Sequence, residues 1–203
     1  MVERIFQNIP NGKIEEADRQ SFLINLGWSE GTAWNDLLRS KRVLMISEAG
    51  SGKTHECRAQ AKLLWDKGEP AFFIELASLA SKELRNLLDD EEEKRFDAWL
   101  LSQSDVATFF LDSYDELKLS RGSFDLALKS LKKAINSQFH RVRIVITTRP
   151  VPFDEQLVRR HLPVPLIASS EPKENSFAKI AMGEHRQKQT PSWEAKEKVA
   201  DWR

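Results

Sequence analysis

Between residues 41 and 150 the chain alternates short apolar runs with longer amphipathic ones. The apolar runs are Arg42 to Ser47 (RVLMIS), Ala71 to Leu76 (AFFIEL), Ala107 to Leu111 (ATFFL) and Val142 to Thr147 (VRIVIT). Runs of this length separated by helical patterns predict βαβ units and a parallel sheet. After the first run, Cys57, Ala61, Leu64 and Trp65 recur at helical spacing, and Phe124, Leu128, Leu131 and Ile135 do so before the fourth. Both stripes read as core. The acidic run Asp89 to Glu93 reads as a solvated helix end.

The flanks differ. Residues 1–40 carry a PNGK turn and two apolar clusters, SFLINLGW and TAWNDLLRS, that look more like helix than strand. They predict an N-terminal helical extension capping a core over 41–170. From residue 171 the sequence turns polar and charged, which predicts a surface helical or partly disordered tail over 171–203. PVPLIA could add a fifth strand, but its prolines allow an edge at best.

Composition narrows the function classes. The chain has 203 residues, 40% hydrophobic and 31% charged, enough for one good core with appendages. Lys plus Arg number 31 and Asp plus Glu 31, so no global field favours nucleic acid or an acidic membrane surface. A single cysteine, Cys57, excludes an internal disulfide and a cysteine-rich zinc site. No apolar run approaches the ~18 residues of a membrane span, and the N-terminus has no signal-peptide core, so the cytoplasm is the expected compartment.

Three stretches carry candidate chemistry, and each follows an apolar run. The first is SEAGSGKTHE, residues 47–56. Gly50 and Gly52 let successive backbone N–H groups turn inward, and a helix starting near Lys53 adds its N-terminal partial charge. Glu48, Ala49, Gly50, Ser51, Gly52, Lys53 and Thr54 would cradle phosphates, with Lys53 reaching the β and γ groups and Thr54 ligating Mg²⁺. Ser47 stands where GxxxxGK[ST] has its first glycine.

The second is TFFLDSYDEL. A strand ending in Asp112 places a carboxylate at the carboxyl edge of the sheet, as a direct or second-shell Mg²⁺ partner. Glu116 follows as candidate general base, with Asp115 as its rival. The third is RIVITTRP, where Arg149 lies at a strand end within reach of a γ phosphate. Plainer readings exist for each: a Gly-rich turn, an acidic helix start, a surface arginine. Together the three imply an α/β fold, the three-layer P-loop NTPase sandwich with a mostly parallel central sheet. Its predicted strand order is 2-3-4-1, with a fifth strand weak or missing.

SEAGSGKT, FFLDSYDEL and VITTRP together resemble the NACHT-type NTPase domains of the STAND signalling ATPases. The run FLDSYDELKL followed by GSF and an amphipathic helix looks like the bacterial branch, found in multidomain defence and regulatory proteins. The resemblance spans roughly Leu37 to Pro150. It implies ATP/ADP with Mg²⁺ rather than GTP, since the chain has no Asn-Lys-x-Asp motif. It implies that Gly50, Gly52, Lys53 and Thr54 hold the phosphates, Asp112 and Thr54 the metal, and Arg149 senses the γ phosphate. Adenine would lie against Trp34, Leu37 and Leu38, although a tryptophan is more often core than base-stacking. Relatives continue into further domains, so the resemblance implies truncation, a longer protein partner, and oligomerisation only with further domains. Two outputs stay open: a slow ATP-hydrolysing switch, or a non-hydrolysing binding fragment.

Overall fold

A computed structural model of the chain describes residues 6–8, 32–117, 123–136, 138–164 and 178–182. In chain order they form β1 (Phe6–Asn8), α1 (Trp34–Leu37), β2 (Arg42–Ile46), α2 (Lys53–Asp66), β3 (Ala71–Glu75), α3 (Leu76–Ser81), α4 (Asp90–Leu101), β4 (Ala107–Asp112), α5 (Tyr114–Leu117), α6 (Ser123–Ala134), β5 (Val142–Thr148), α7 (Glu155–His161) and β6 (Ala178–Met182). Short 3₁₀ turns at Leu84–Leu87 and Phe139–Arg141 precede α4 and β5.

The strands make one six-stranded sheet in the order β1-β6-β2-β5-β4-β3. Every pairing is parallel except that of β1 with β6. The four strands predicted from the sequence therefore lie in the expected order, second-third-fourth-first. Their apolar runs are continuous because both faces are covered: all of Val43, Leu44 and Met45 are buried. On one face Val43, Met45, Phe110 and Val145 pack with Cys57, Ala61 and Leu64 of α2 and with Leu37 and Leu38. On the other, Leu44, Phe72, Phe109, Ile144 and Ile146 pack with Phe96 and Trp99 of α4 and with Phe124, Leu128 and Leu131 of α6. The result is a three-layer sandwich.

Two elements differ from expectation. The segment from 171 onward, expected as a helical or partly disordered tail, contributes β6, paired in parallel with β2. The N-terminal extension, expected as helical, contributes β1, paired antiparallel with β6. The reason is the sheet edge. Without β6, the strand that feeds the phosphate loop would expose a row of unpaired backbone groups, and five residues, AKIAM, suffice to pair them. The sheet thus draws on residues outside the 41–170 span. The SFLINLGW cluster, and PVPLIA beyond Val164, lie outside the described residues. Among the described residues, no helix is long and apolar enough to cross a membrane.

The acidic run at residues 89–93 caps a helix more specifically than expected. Asp89 accepts the Glu91 and Glu92 N–H groups, and Glu92 returns a bond to the Asp89 N–H, a reciprocal capping box.

Arg42 opens β2 yet is buried. Its guanidinium donates to the Lys41, Val142, Leu162 and Pro163 carbonyls at 2.7, 2.8, 3.0 and 3.1 Å, tying the end of α7 to the sheet. Burial lowers its pKa to about 10, which leaves it charged at neutral pH. Arg42→Met keeps the aliphatic stem and strips these acceptors of their donor. It should lower unfolding free energy by about 1–3 kcal/mol in urea titrations.

Candidate functional site

The loop between β2 and α2 depends on two left-handed residues. Gly50 has φ +76° and Gly52, the residue before α2, has φ +87°. A Cβ at Gly50 would meet nothing within 4 Å, so the need for glycine there is conformational and not steric crowding. Ser47 and Ser51 hydroxyls meet at 2.7 Å across the loop base, and the Ser47 N–H donates to the Thr148 carbonyl of β5 at 3.2 Å. The serine that replaces the motif's first glycine thus closes the loop through its own side chain.

Lys53 and Thr54 stand in the first turn of α2. The Lys53 ammonium donates to the Ser47 and Glu48 carbonyls at 2.6 and 2.8 Å, arching over the loop. Burial is the largest influence on it and lowers its pKa; Asp115, Asp112 and Glu48 pull it back up, and Arg149 pushes it further down. Thr54 donates its hydroxyl to Asp112 Oδ2 at 2.7 Å. Asp112, 3% exposed at the end of β4, also accepts from the Thr147 hydroxyl of β5 and from Ser113 Oγ at 3.3 Å. Three hydroxyls, from α2, β5 and the turn after β4, converge on one carboxylate.

Beyond Asp112 the chain turns sharply. Ser113 has φ +63°, a left-handed conformation uncommon outside glycine, and its N–H donates to Thr147 Oγ1 at 3.0 Å. That turn carries Asp115 round to the end of β5. Asp115 Oδ2 lies 2.9 Å from Arg149 Nε, and its Oδ1 accepts the Arg149 backbone N–H at 3.2 Å. Glu116 is exposed on α5, and among the described residues no hydrogen bond or ion pair joins its carboxylate to Lys53, Thr54, Asp112 or Arg149. Of the candidates from the sequence, the structure gathers the loop, Lys53, Thr54, Asp112, Asp115 and Arg149 at one sheet edge. It leaves Glu116 beside them and untied.

Trp34, expected against adenine, is half-buried beside the phosphate-loop helix. Its ring packs edge-on against Phe6 at 4.9 Å and Phe110 at 5.9 Å, and its Nε1 donates to Glu56 of α2 at 2.8 Å. Leu37 and Leu38 are buried in the same cluster. These contacts make the three residues packing groups that join β1 and the phosphate-loop helix to the sheet. Thr147 and Ser113 were not singled out individually by sequence reasoning. The only signal for Thr147 is that the TT of VITT follows an apolar strand at the loop's edge. Cys57, one turn into α2, is buried, and burial pushes its thiol pKa up, so it stays protonated.

No family model matches the sequence, and no curated protein does. Solved structures do. AMPPCP-bound DnaA from Aquifex aeolicus is 15% identical with a TM-score of 0.41, over 75% of this chain and 45% of that one. The ORC1 protein of Aeropyrum pernix in complex with DNA is 15% identical with a TM-score of 0.38, over 81% and 48%. The AAA domain of FIGL-1 in complex with ADP is 22% identical with a TM-score of 0.36, over 86% and 53%. The chain spans about half the length of these solved chains. Its own sheet order and loop geometry decide the architecture.

The fold is that of a P-loop NTPase.

Thr147 is the least obvious member of the site, and its removal is diagnostic. Thr147→Val leaves Asp112 short of one hydroxyl and the Ser113 N–H without its acceptor. The expected cost is about 1–3 kcal/mol of unfolding free energy, read by urea denaturation.

Proposed function

We propose that this chain binds ATP with Mg²⁺ and works as a NACHT-like switch module, in which the presence of the γ phosphate is read as a conformational state and hydrolysis is slow. The observation that carries this is the 2.7 Å contact between Thr54 on the phosphate-loop helix and Asp112 at the end of β4. A hydroxyl and a carboxylate held together beside a glycine-turned loop are the donor set of a nucleotide-bound magnesium site. Among the described residues no cluster of three or more His, Cys, Asp or Glu could hold a metal by itself. Thr54 and Asp112 would therefore share the ion with the nucleotide's own oxygens. The ion's contribution, when bound, is to neutralise charge building on the phosphates.

The chain's own groups divide the remaining work. Backbone N–H groups of the loop and of the first turn of α2 bind phosphate oxygens. Lys53 leaves its loop carbonyls to meet the β and γ phosphates. Arg149, 52% exposed at the end of β5, reaches the γ phosphate from the neighbouring strand. Glu116 serves as general base toward the attacking water. Asp115 is less suited to that role, because both its oxygens are engaged by Arg149. The placement in bacterial defence or regulation rests on the motif resemblance, as does a longer protein carrying the output, whereas the cytoplasmic setting rests on the sequence pattern alone. Zero net charge weighs against nucleic acid as the partner.

A second reading has its own observation. Glu116 is exposed and untied, so the site can hold nucleotide with its base unplaced, as a non-hydrolysing fragment. Mg²⁺-dependent binding of labelled ATP and ADP, followed by single-turnover hydrolysis, separates the two. Lys53→Ala should weaken ATP binding by about tenfold or more, the loss of a charge-assisted contact. Glu116→Gln should keep binding and slow hydrolysis by about 10²–10⁴. Binding without any turnover in the unaltered chain supports the fragment reading. An unchanged rate in Glu116→Gln removes Glu116 as the base.

A further inference from the structure

The pair formed by Asp115 and Arg149 has a geometry that goes beyond placing a sensor arginine. One carboxylate binds one residue twice, at its backbone N–H (3.2 Å) and at its Nε (2.9 Å). The two partners are unequally exposed, 13% for Asp115 and 52% for Arg149, so the carboxylate is the anchored party and the guanidinium the end that can leave. Asp115 is also the strongest charge acting on Lys53, ahead of Asp112 and Glu48. The anion that holds Arg149 therefore also acts through space on Lys53, whose own hydrogen bonds go to the Ser47 and Glu48 carbonyls.

We propose that Asp115 is an internal stand-in for the γ phosphate: it holds Arg149 while the site lacks a triphosphate, gives up the Nε contact when ATP arrives, and so sets the site's preference between ATP and ADP. This rests on the nucleotide reading above and deepens it. A triphosphate brings its own negative charge beside Lys53 and Arg149, and two like charges cannot share those partners without cost. ATP therefore exchanges with the Asp115 side-chain contact. ADP lacks the competing group and leaves the pair intact. Part of the intrinsic affinity for ATP is spent on breaking the pair, and the discrimination against ADP is smaller than Lys53 and Arg149 alone would give.

The exchange also has a structural outlet. The Arg149 backbone contact can persist while the side chain moves. Beyond it, Phe153 packs on Tyr114 at 4.8 Å, and Tyr114 precedes Asp115 on α5. The Tyr114 hydroxyl donates to the Pro152 carbonyl at 3.4 Å, and Asp154 accepts the Leu157 N–H to cap α7. A change at the Asp115–Arg149 pair is thus felt first where α5 meets the segment leading into α7.

The test is the ratio of ATP to ADP affinity with Mg²⁺, measured by calorimetry or labelled nucleotide for a four-member cycle. Asp115→Asn should raise the ratio about three- to tenfold, chiefly by tightening ATP, the scale of a partly exposed ion pair. Asp115→Glu, which keeps the charge, should return the ratio toward the unaltered value. Arg149→Gln should lower it, and adding Asp115→Asn to Arg149→Gln should recover little, because Asp115 acts through Arg149. A purely structural Asp115 would instead weaken both nucleotides alike. That result, an unchanged ratio, or full additivity of the two substitutions overturns the proposal. So does loss of single-turnover hydrolysis in Asp115→Asn with the ratio unmoved, which would make Asp115 the base.

A nucleotide-free readout keeps this inference separable from the site's function. Thermal unfolding of the same four proteins should show coupling between positions 115 and 149; its absence overturns the stand-in even if ATP binds well. If the unaltered, folded chain binds neither nucleotide, the nucleotide reading fails and the exchange fails with it, while the coupling still reports whether the pair exists.

Discussion

Asp112 is almost fully buried at the carboxyl end of β4, and a carboxylate in that position must be satisfied by donors. The donors come from Thr54 on α2, Thr147 on β5 and its own neighbour Ser113. β4 does not touch β2, since β5 lies between them. The contact from Thr54 therefore bridges over the end of β5 and fixes the start of α2 against two strands at once. The glycine turn, the arch of Lys53 and the placement of Arg149 are all built on that register.

The electrostatics of the site follow from how its cations are kept. Lys53 and Arg149 stand near each other and would repel, as the influence of Arg149 on Lys53 shows. Each is held by acceptors of its own: loop carbonyls for Lys53, the Asp115 carboxylate for Arg149. The site is thus assembled with its positive groups held at the loop's edge, each by contacts that an incoming anion exchanges. A chain with zero net charge achieves this by local pairing and not by global bias.

The opposite end of the sheet is closed by buried arginines used in another way. Arg42 gathers four backbone carbonyls, and Arg141 donates to the Trp99 and Asp105 carbonyls at 3.2 and 3.1 Å. Guanidinium groups suit this work because one planar fork can satisfy several carbonyls where regular pairing stops. The two ends of the sheet therefore divide labour, with carbonyl-clamping arginines at the amino end and phosphate-oriented groups at the carboxyl end.

Much of this was legible from periodicity. Four apolar runs, the helical stripes at Cys57, Ala61, Leu64 and at Phe124, Leu128, Leu131, and the polar residues ending each strand determine an α/β sandwich with its chemistry on one edge. Local pattern is enough there because burial on both faces demands continuous apolar strands, and a phosphate loop demands glycines at positive φ. What only the tertiary structure decided is pairing across distance. AKIAM is a short run inside a polar, charged stretch that reads as a tail, and it becomes a strand because β2 offers an unpaired edge. Trp34 is tied to Phe6, Phe110 and Glu56, all distant from it along the chain. Asp115 and Glu116 are neighbours with the same chemistry in sequence. They part only when the left-handed turn at Ser113 carries Asp115 to Arg149, 34 residues further along the chain, and leaves Glu116 facing solvent.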